Sequence, residues 1–218
     1  MNFSTDRDLL ALEPNLFVDV PLVSQQRIQL TDGQLVGTML SSETADFETL
    51  QVSTGAIVLI EGIPCEVVGR TDAQTLEVSA MRTSLADPAI PPAIESSDDL
   101  RVTVRTFAMQ ARATHDHLLA LLGIDSDLDA GKPDAAVTED AIISLGTMAQ
   151  LEALGTLQRI YSGAVALLGE NQTIWDKAAH YHQQYRGELA NARVLLDLDG
   201  DGFADAERHL GMIQMKRI

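Results

Sequence analysis

"LRVTVRTFAMQARATHDHLLALLG", residues 100–123, carries two hydrophobic periods in one run. Up to Arg105 apolar and polar residues alternate, which is the period of a half-buried strand. From Thr106 onward Phe107, Ala111, Leu118 and Leu122 recur on one face of a 3.6-residue helix. Gly123 stops the run, as a residue tolerant of the left-handed conformation does at a helix end. The chain therefore changes texture near residue 100, from strands before it to helices after it. This predicts an α+β fold: a small antiparallel β domain, barrel or sandwich, then a three-helix bundle and an extended C-terminal strand.

Upstream, short apolar runs are punctuated by turn residues. "RIQL" (27–30), Thr31-Asp32-Gly33 and "QLVGTML" (34–40) predict a hairpin about an Asp-Gly turn. "AIVLIEG" (56–62) reads as a buried strand closed by Gly62, and "CEVVGR" (65–70) and "TLEVSAM" (75–81) as two more strands. Residues 46–52 suit a brief helix. Before all of these, "TDRDLLALE" (5–13) predicts a short helix with Thr5 as its cap and Asp8 in the first turn. Three prolines and a Ser/Asp cluster mark residues 84–99 as a linker or long crossover. Residues 1–99 are thus expected as a β-rich domain, 100–196 as a helical domain, and 197–218 as an acidic turn followed by an arm.

Downstream of Gly123 lies a polar loop, "DSDLDAGKPDAA" (125–136). Thr147 and Gln150 fit a capping box, and Leu151, Leu154, Leu157, Ile160, Tyr161, Val165 and Leu168 make a broad apolar stripe behind it. A third helix, with Thr173 and Asp176 as its cap, presents Ile174, Trp175, Ala178, Tyr181, Tyr185, Leu189 and Ala192. Trp175, Tyr181 and Tyr185 are expected as core anchors.

The chain has 15 Lys and Arg against 32 Asp and Glu, a formal charge of −17. A free-standing nucleic-acid binder needs a basic footprint, so that class is disfavoured. Cys65 is the only cysteine, which excludes an internal disulfide or a cysteine metal cluster, and a buried structural role is expected for it. The first residues do not read as a signal peptide, and no segment approaches the ~20 apolar residues of a membrane span. Synthesis in the cytoplasm is the expectation.

One stretch invites a metal. In "LLDLDGDGFADAERHLGM" (195–212), counting Asp197 as position one of a calcium loop puts Asp199 at three, Asp201 at five, Gly202 at six and Asp205 at nine. The closing twelfth position is Arg208, a cation where a carboxylate should stand. The alternatives are a calcium-dependent binding module and a plain Asx-rich turn whose aspartates bond nearby backbone amides. "HDH" (His115, His117) and "HYH" (His180, His182) cannot chelate within a helix, because residues two apart point about 200° from each other. His115 and His182 lie near apolar faces and read as core-edge histidines. No glycine-rich phosphate loop, serine elbow or zinc-hydrolase helix occurs, and no enzymatic constellation emerges.

The helical half resembles a known family. "TFAMQ…HLLALLGID", "LEALGTLQRIYSGAV" and "WDKAAHYHQQYRGELANARVLLDLDGDGFAD" are similar to the head–tail connector (adaptor) proteins of tailed phages, prophages and gene-transfer particles. The resemblance spans roughly residues 100–218 and rests on patterns of helix faces. It does not account for the N-terminal strands. It implies a non-enzymatic virion structural protein of the neck: a ring, usually of twelve copies, beneath the portal protein, which extends the DNA channel and docks the stopper or tail-completion protein. It implies that DNA passes through the channel without sequence-specific binding; no membrane and no cofactor are expected, calcium in the acidic loop being the alternative raised above. Negative walls suit a channel through which DNA slides.

The remaining expectation concerns residues 210–218, "LGMIQMKRI". Leu210, Met212, Ile213, Met215 and Ile218 want cover, and Lys216 and Arg217 stand out in an acidic chain. The expectation is an extended arm, swung clear of the helices by the acidic turn, that adds a strand to an exposed sheet edge of the portal. The competing expectation is that this strand returns to the chain's own strand domain, beside Leu100–Arg105.

Overall fold

The computed structural model describes residues 2–21, 25–95, 98–124, 137–168 and 171–211. The chain divides into two compact units, Thr5–Ala108 and a second made of Met1–Ser4 with Met109–Ile218. The boundary expected at residues 99/100 therefore lies at 108/109, and the first four residues belong with the helices.

The first unit is a closed antiparallel barrel. Its strands are β1 (Gln26–Val36), β2 (Met39–Ser41), β3 (Ile57–Ile60), β4 (Ile63–Arg70), β5 (Thr75–Ser79) and β6 (Leu100–Arg105), in the order β1-β2-β5-β4-β3-β6 around the barrel. β6 is the closing strand: Val104 pairs with Ile28 on one side and Val58 on the other, and Val102 with Leu30 and Ile60. The strand that begins residues 100–123 thus completes the barrel and does not open the helical domain. The described residues of the expected linker, 84–95 and 98–99, lie between β5 and β6 within this unit. Alternate side chains fill the interior, among them Leu30, Leu40, Val58, Ile60, Cys65, Val67, Leu76, Val78, Val102 and Val104, with Phe47 fully buried among them. A barrel of six strands is narrow enough for its own side chains to fill it.

The predicted hairpin turn at Asp32-Gly33 is absent. β1 runs straight through it, and the turn falls at Gly37 and Thr38, where Gly37 has φ 63°. Gly33 marks an irregular step in the pairing of β1 with β6. A Cβ there would lie 2.5 Å from Val102 Cγ2 and 2.9 Å from the Leu100 carbonyl. The glycine serves close backbone approach, not a turn. Asp32 accepts from Ser42 Oγ, Thr44 N and Thr44 Oγ1 and so pins the loop after β2. Residues 46–52 form a single turn and no longer helix, with Asp46 accepting from Thr49 N at 2.9 Å.

All four residues of β3 are buried, so its outward face is covered as well. Two short helices, α1 (Asp6–Leu12) and α2 (Leu16–Asp19), are tied to that side. Arg7 N donates to Gly55 O at 3.0 Å, and Arg105 Nη1 on β6 donates to Phe17 O at 3.3 Å. α1 starts as expected: Asp8 accepts from both the amide and the hydroxyl of Thr5. Its first residue, Asp6, accepts from Phe107 N at 2.8 Å, and burial pushes its carboxyl above the ordinary range.

The second unit contains α3 (Ala108–Leu121), a 3-10 turn (Glu139–Ala141), α4 (Leu145–Leu168), α5 (Gln172–Asn191) and a hairpin of β7 (Arg193–Leu196) and β8 (Ala206–His209). α3 ends as predicted, at Gly123 with φ 67°. The polar loop at 125–136 lies outside the described residues. α4 begins two residues before the expected capping box. α5 is capped by Asn171, whose Oδ1 accepts from Thr173 N and Ile174 N. α4 and α5 pack against each other. Tyr161 stacks on Tyr181 with ring centres 5.5 Å apart, and Gly155 meets the Tyr185 ring so closely that a Cβ would lie 2.9 Å from it. The same glycine faces Thr114 of α3.

Trp175 corrects the core expectation. It is 54% exposed, whereas Ile174 is 2% exposed. Ile174, Tyr181 and Tyr185 repeat at seven and four residues and define one line along the helix. Trp175 lies about 100° away from that line. The two tyrosines, seated by Tyr161 and Gly155, set the rotation of α5 and leave the tryptophan outside.

Candidate functional site

The acidic loop joins the two strands of a hairpin, not two helices. β7 and β8 pair from Arg193–His209 to Leu196–Ala206, and Asp197–Asp205 makes the turn. Most of its carboxylates bond backbone amides. Asp197 accepts from Gly200 N at 2.7 Å through Oδ1 and from Gly202 N at 2.8 Å through Oδ2. Asp205 Oδ2 accepts from Leu198 N and Asp199 N, Asp199 from Asp201 N, and Asp201 from Phe203 N. Gly200 and Gly202, at φ 80° and 88°, supply the left-handed steps that let the chain wrap its own side chains. The Gly202 amide beside Asp197, with help from Gly200, holds its carboxyl below the ordinary carboxylate range.

The wrapping gathers Asp197, Asp199 and Asp205, whose carboxylates offer oxygens within 4.8 Å of one another. Asp201, expected as a fourth ligand, is not in that group. Arg208 turns away from the loop: its Nη1 donates to Leu122 O at the end of α3. Glu207, the other residue near the closing position, pairs with Arg193 at 3.4 Å and His209 at 3.2 Å. The loop thus holds three convergent oxygens, with Arg208 and Glu207 engaged elsewhere. Calcium takes six to eight oxygens, so water or a partner's oxygens would have to complete the shell.

The histidines do not assemble a metal site. His115 is fully buried, as read from its helix face, but His182 is exposed and meets Gln158 at 3.2 Å. What holds His115 is a carboxylate that sequence reading passed over. Glu152 of α4 is fully buried and accepts four donors: Phe3 N at 3.1 Å, Ser4 N at 2.8 Å, Ser4 Oγ at 2.7 Å and His115 Nδ1 at 2.8 Å. Two donors meet each oxygen, so both acceptors of the group are fully used. His115 Nε2 lies 3.4 Å from Glu139, and the Phe3 ring centre lies 4.6 Å from the imidazole. This network ties Phe3 and Ser4 to the helices. Its only sequence signal is a lone acid inside an apolar helical stripe.

A second buried carboxylate organises the barrel unit. Glu66 points outward from β4, between inward Cys65 and Val67, yet it is fully buried. Arg7 of α1 and Arg82 each pair with one of its oxygens through Nε, and Arg7 Nη2 donates to the Arg82 carbonyl at 2.7 Å. Beside the two arginines is a cleft of about 430 Å³, walled mainly by Leu10, Ala11, Pro14, Pro64 and Met81. Cys65 itself is enclosed, and burial pushes its thiol up to about 12. That is the inert structural cysteine the sequence suggested.

The expected arm begins differently. Leu210 is 5% exposed and its N–H donates to Ala192 O at 3.2 Å, continuing the β7–β8 ladder. Gly211 presses against the end of α5, where a Cβ would lie 2.5 Å from Ala190 O. The turn therefore folds the chain back along β7 and does not swing it clear. Met212, Ile213, Met215, Lys216, Arg217 and Ile218 lie outside the described residues.

Comparisons with protein-family models, with curated proteins and with solved structures found no match to this chain. Among the described residues no helix is long and apolar enough to cross a membrane.

Proposed function

We propose that the chain is a structural subunit of a virion neck: a head–tail adaptor that forms a ring beneath the portal, extends the DNA channel and docks the stopper or tail. The observation that supports this reading is the order of elements in the second unit: α3, α4, α5, then an acidic hairpin, in a chain of formal charge −17. In this reading the three helices form a bundle. Leu154, Leu157, Ile160 and Tyr161 of the first shared pattern, and Tyr181 and Tyr185 of the second, are its buried residues. Exposed Trp175 is then surface that a ring neighbour or the portal can cover, and the acidic surface lines a channel that makes no phosphate contacts. The test is co-expression with the portal protein encoded in the same genome, followed by electron microscopy of purified portal rings. A second ring of density on one face of the portal is expected. Portal rings that never carry the chain overturn the reading.

A second reading is a calcium-binding hairpin. The convergence of Asp197, Asp199 and Asp205 favours it. Calorimetric titration with calcium, repeated on Asp199→Ala, decides it: micromolar binding lost in the variant supports calcium, and no heat in the wild type removes it.

A further inference from the structure

The hairpin carries an unpartnered edge and an exposed apolar surface. Among the described residues β8 pairs only with β7, while the far side of β7 is covered by Ile142, which bridges to Leu196. Because Leu210 N bonds back to Ala192, alternation turns the amides of Glu207 and His209 toward the free edge. On the side of the hairpin opposite buried Val194 and Leu196, Leu195 and Ile143 are each 38% exposed. At the loop, Leu198 and Phe203 are 54% and 75% exposed. Charge is graded along this small sheet: Arg193 and His209 stand at its base, and the aspartates of the loop stand at its tip.

We propose that this edge is an interface between copies of the chain, and that its occupant is residues 212–218 of a second copy, added antiparallel to β8. The inference rests on the ring reading and names the contact that would build the ring.

Three features select that occupant. The first is chemistry. "MIQMKRI" has no acid and two cations in a chain where acids outnumber bases by more than two to one. Extended, it places Ile213, Met215 and Arg217 on one face and Met212, Lys216 and Ile218 on the other, so either face brings two large apolar groups and one cation. The second is direction. An antiparallel strand on β8 runs from the base of the hairpin to its tip, so Lys216 and Arg217 arrive beside the aspartates. A parallel strand would bring them to Arg193 and His209. The third is path. At Leu210 and Gly211 the chain still follows the line of β8 past the end of α5, away from its own free edge. A second copy's segment reaches that edge without a reversal. Such an interface is head-to-tail, and repeated by a rotation it closes a ring. Backbone hydrogen bonds supply affinity, apolar side chains on the added strand pack across β8 toward Leu195, and opposite charges fix the register.

The experiment uses the full chain and two variants in sedimentation velocity. One variant lacks residues 212–218. The other carries Asp199→Lys with Asp201→Lys, which leaves the turn-forming Asp197 and Asp205 intact. The wild type should populate dimers and larger species that dissolve with rising salt. Each variant alone should be monomeric. Mixed, they should form a one-to-one dimer and nothing larger, since one supplies only the edge and the other only the segment. If the deletion destabilises the chain, Ile213→Pro with Gln214→Pro, which removes a pairing amide whichever way the segment faces, replaces it. A wild type that is monomeric at every concentration, oligomers that survive the deletion, or variants that fail to pair on mixing each overturn the proposal. Variants that still dock singly on a portal ring while failing to pair would overturn this contact and leave the adaptor reading standing. Pairing as predicted, with no portal binding, would do the reverse.

Discussion

Replacing Glu152 by Gln tests whether the buried carboxylate is what holds Phe3 and Ser4 to the helices. The change keeps shape and removes charge. Each Glu152 oxygen now accepts two donors: Phe3 N and His115 Nδ1 on one, Ser4 N and Ser4 Oγ on the other. A glutamine puts an NH2 group, itself a donor, in place of one oxygen. Whichever way the amide turns, one pair of donors faces another donor in a site with no solvent. A buried donor left without an acceptor costs about 1–3 kcal/mol, and here two are left so. The expected loss is therefore about 2–6 kcal/mol. Ser4→Ala removes one donor and strands none, so about 1 kcal/mol is expected there. Urea unfolding followed by tryptophan fluorescence isolates the right unit, because Trp175 is the only tryptophan and lies on α5. Amide exchange at Phe3 and Ser4 reads the attachment directly and should accelerate in Glu152→Gln. A loss below about 1 kcal/mol, with exchange at both amides unchanged, would refute the reasoning.

Three other outcomes follow from the geometry. Ile174→Ala should cost about 2–5 kcal/mol by emptying a packed position, while exposed Trp175→Ala should shift stability by under ~1 kcal/mol; the opposite order in thermal melts would mean that α5 is rotated from the arrangement described. Because the Gly202 and Gly200 amides hold Asp197 below the ordinary aspartate value of 3.8, the order it gives the hairpin turn is fully present above that value and is lost as pH falls through the depressed one. The amide signals of Gly200 and Gly202 should therefore move only below pH 3.8, and a midpoint at or above it defeats the account. Gly33→Ala should destabilise the barrel by about 1–3 kcal/mol, since its Cβ meets Val102 and the Leu100 carbonyl; an unchanged denaturation midpoint would show that β1 and β6 separate more easily than their spacing implies.

Period and punctuation decided much of the local structure. The alternation in 100–105 and the apolar runs near 57–60, 63–70 and 75–79 became strands because each must turn one face inward. The capping of α1 by Thr5 and Asp8, and the end of α3 at Gly123, were also legible, since both depend on residues within one helical turn. The aspartates of 197–205 were legible as a turn, because each bonds an amide two to seven residues away.

What escaped the sequence is whatever depends on distant partners. β6 belongs to the barrel because β1 and β3 both need a neighbour, and nothing in residues 100–105 names the strands that flank it. Trp175 looked like an anchor because hydrophobicity cannot fix the rotation of a helix. Tyr161 and Gly155, some twenty to thirty residues away, fix it by seating Tyr181 and Tyr185. Glu152 and Glu66 look like ordinary surface acids in the sequence, yet each is buried because its counterparts arrive from 37 to 149 residues away in the first case and 16 to 59 in the second. A strand's period or a helix cap is set by neighbours in the chain. The pairing of a buried charge is set by which elements the fold brings together, and only the packed structure decides that.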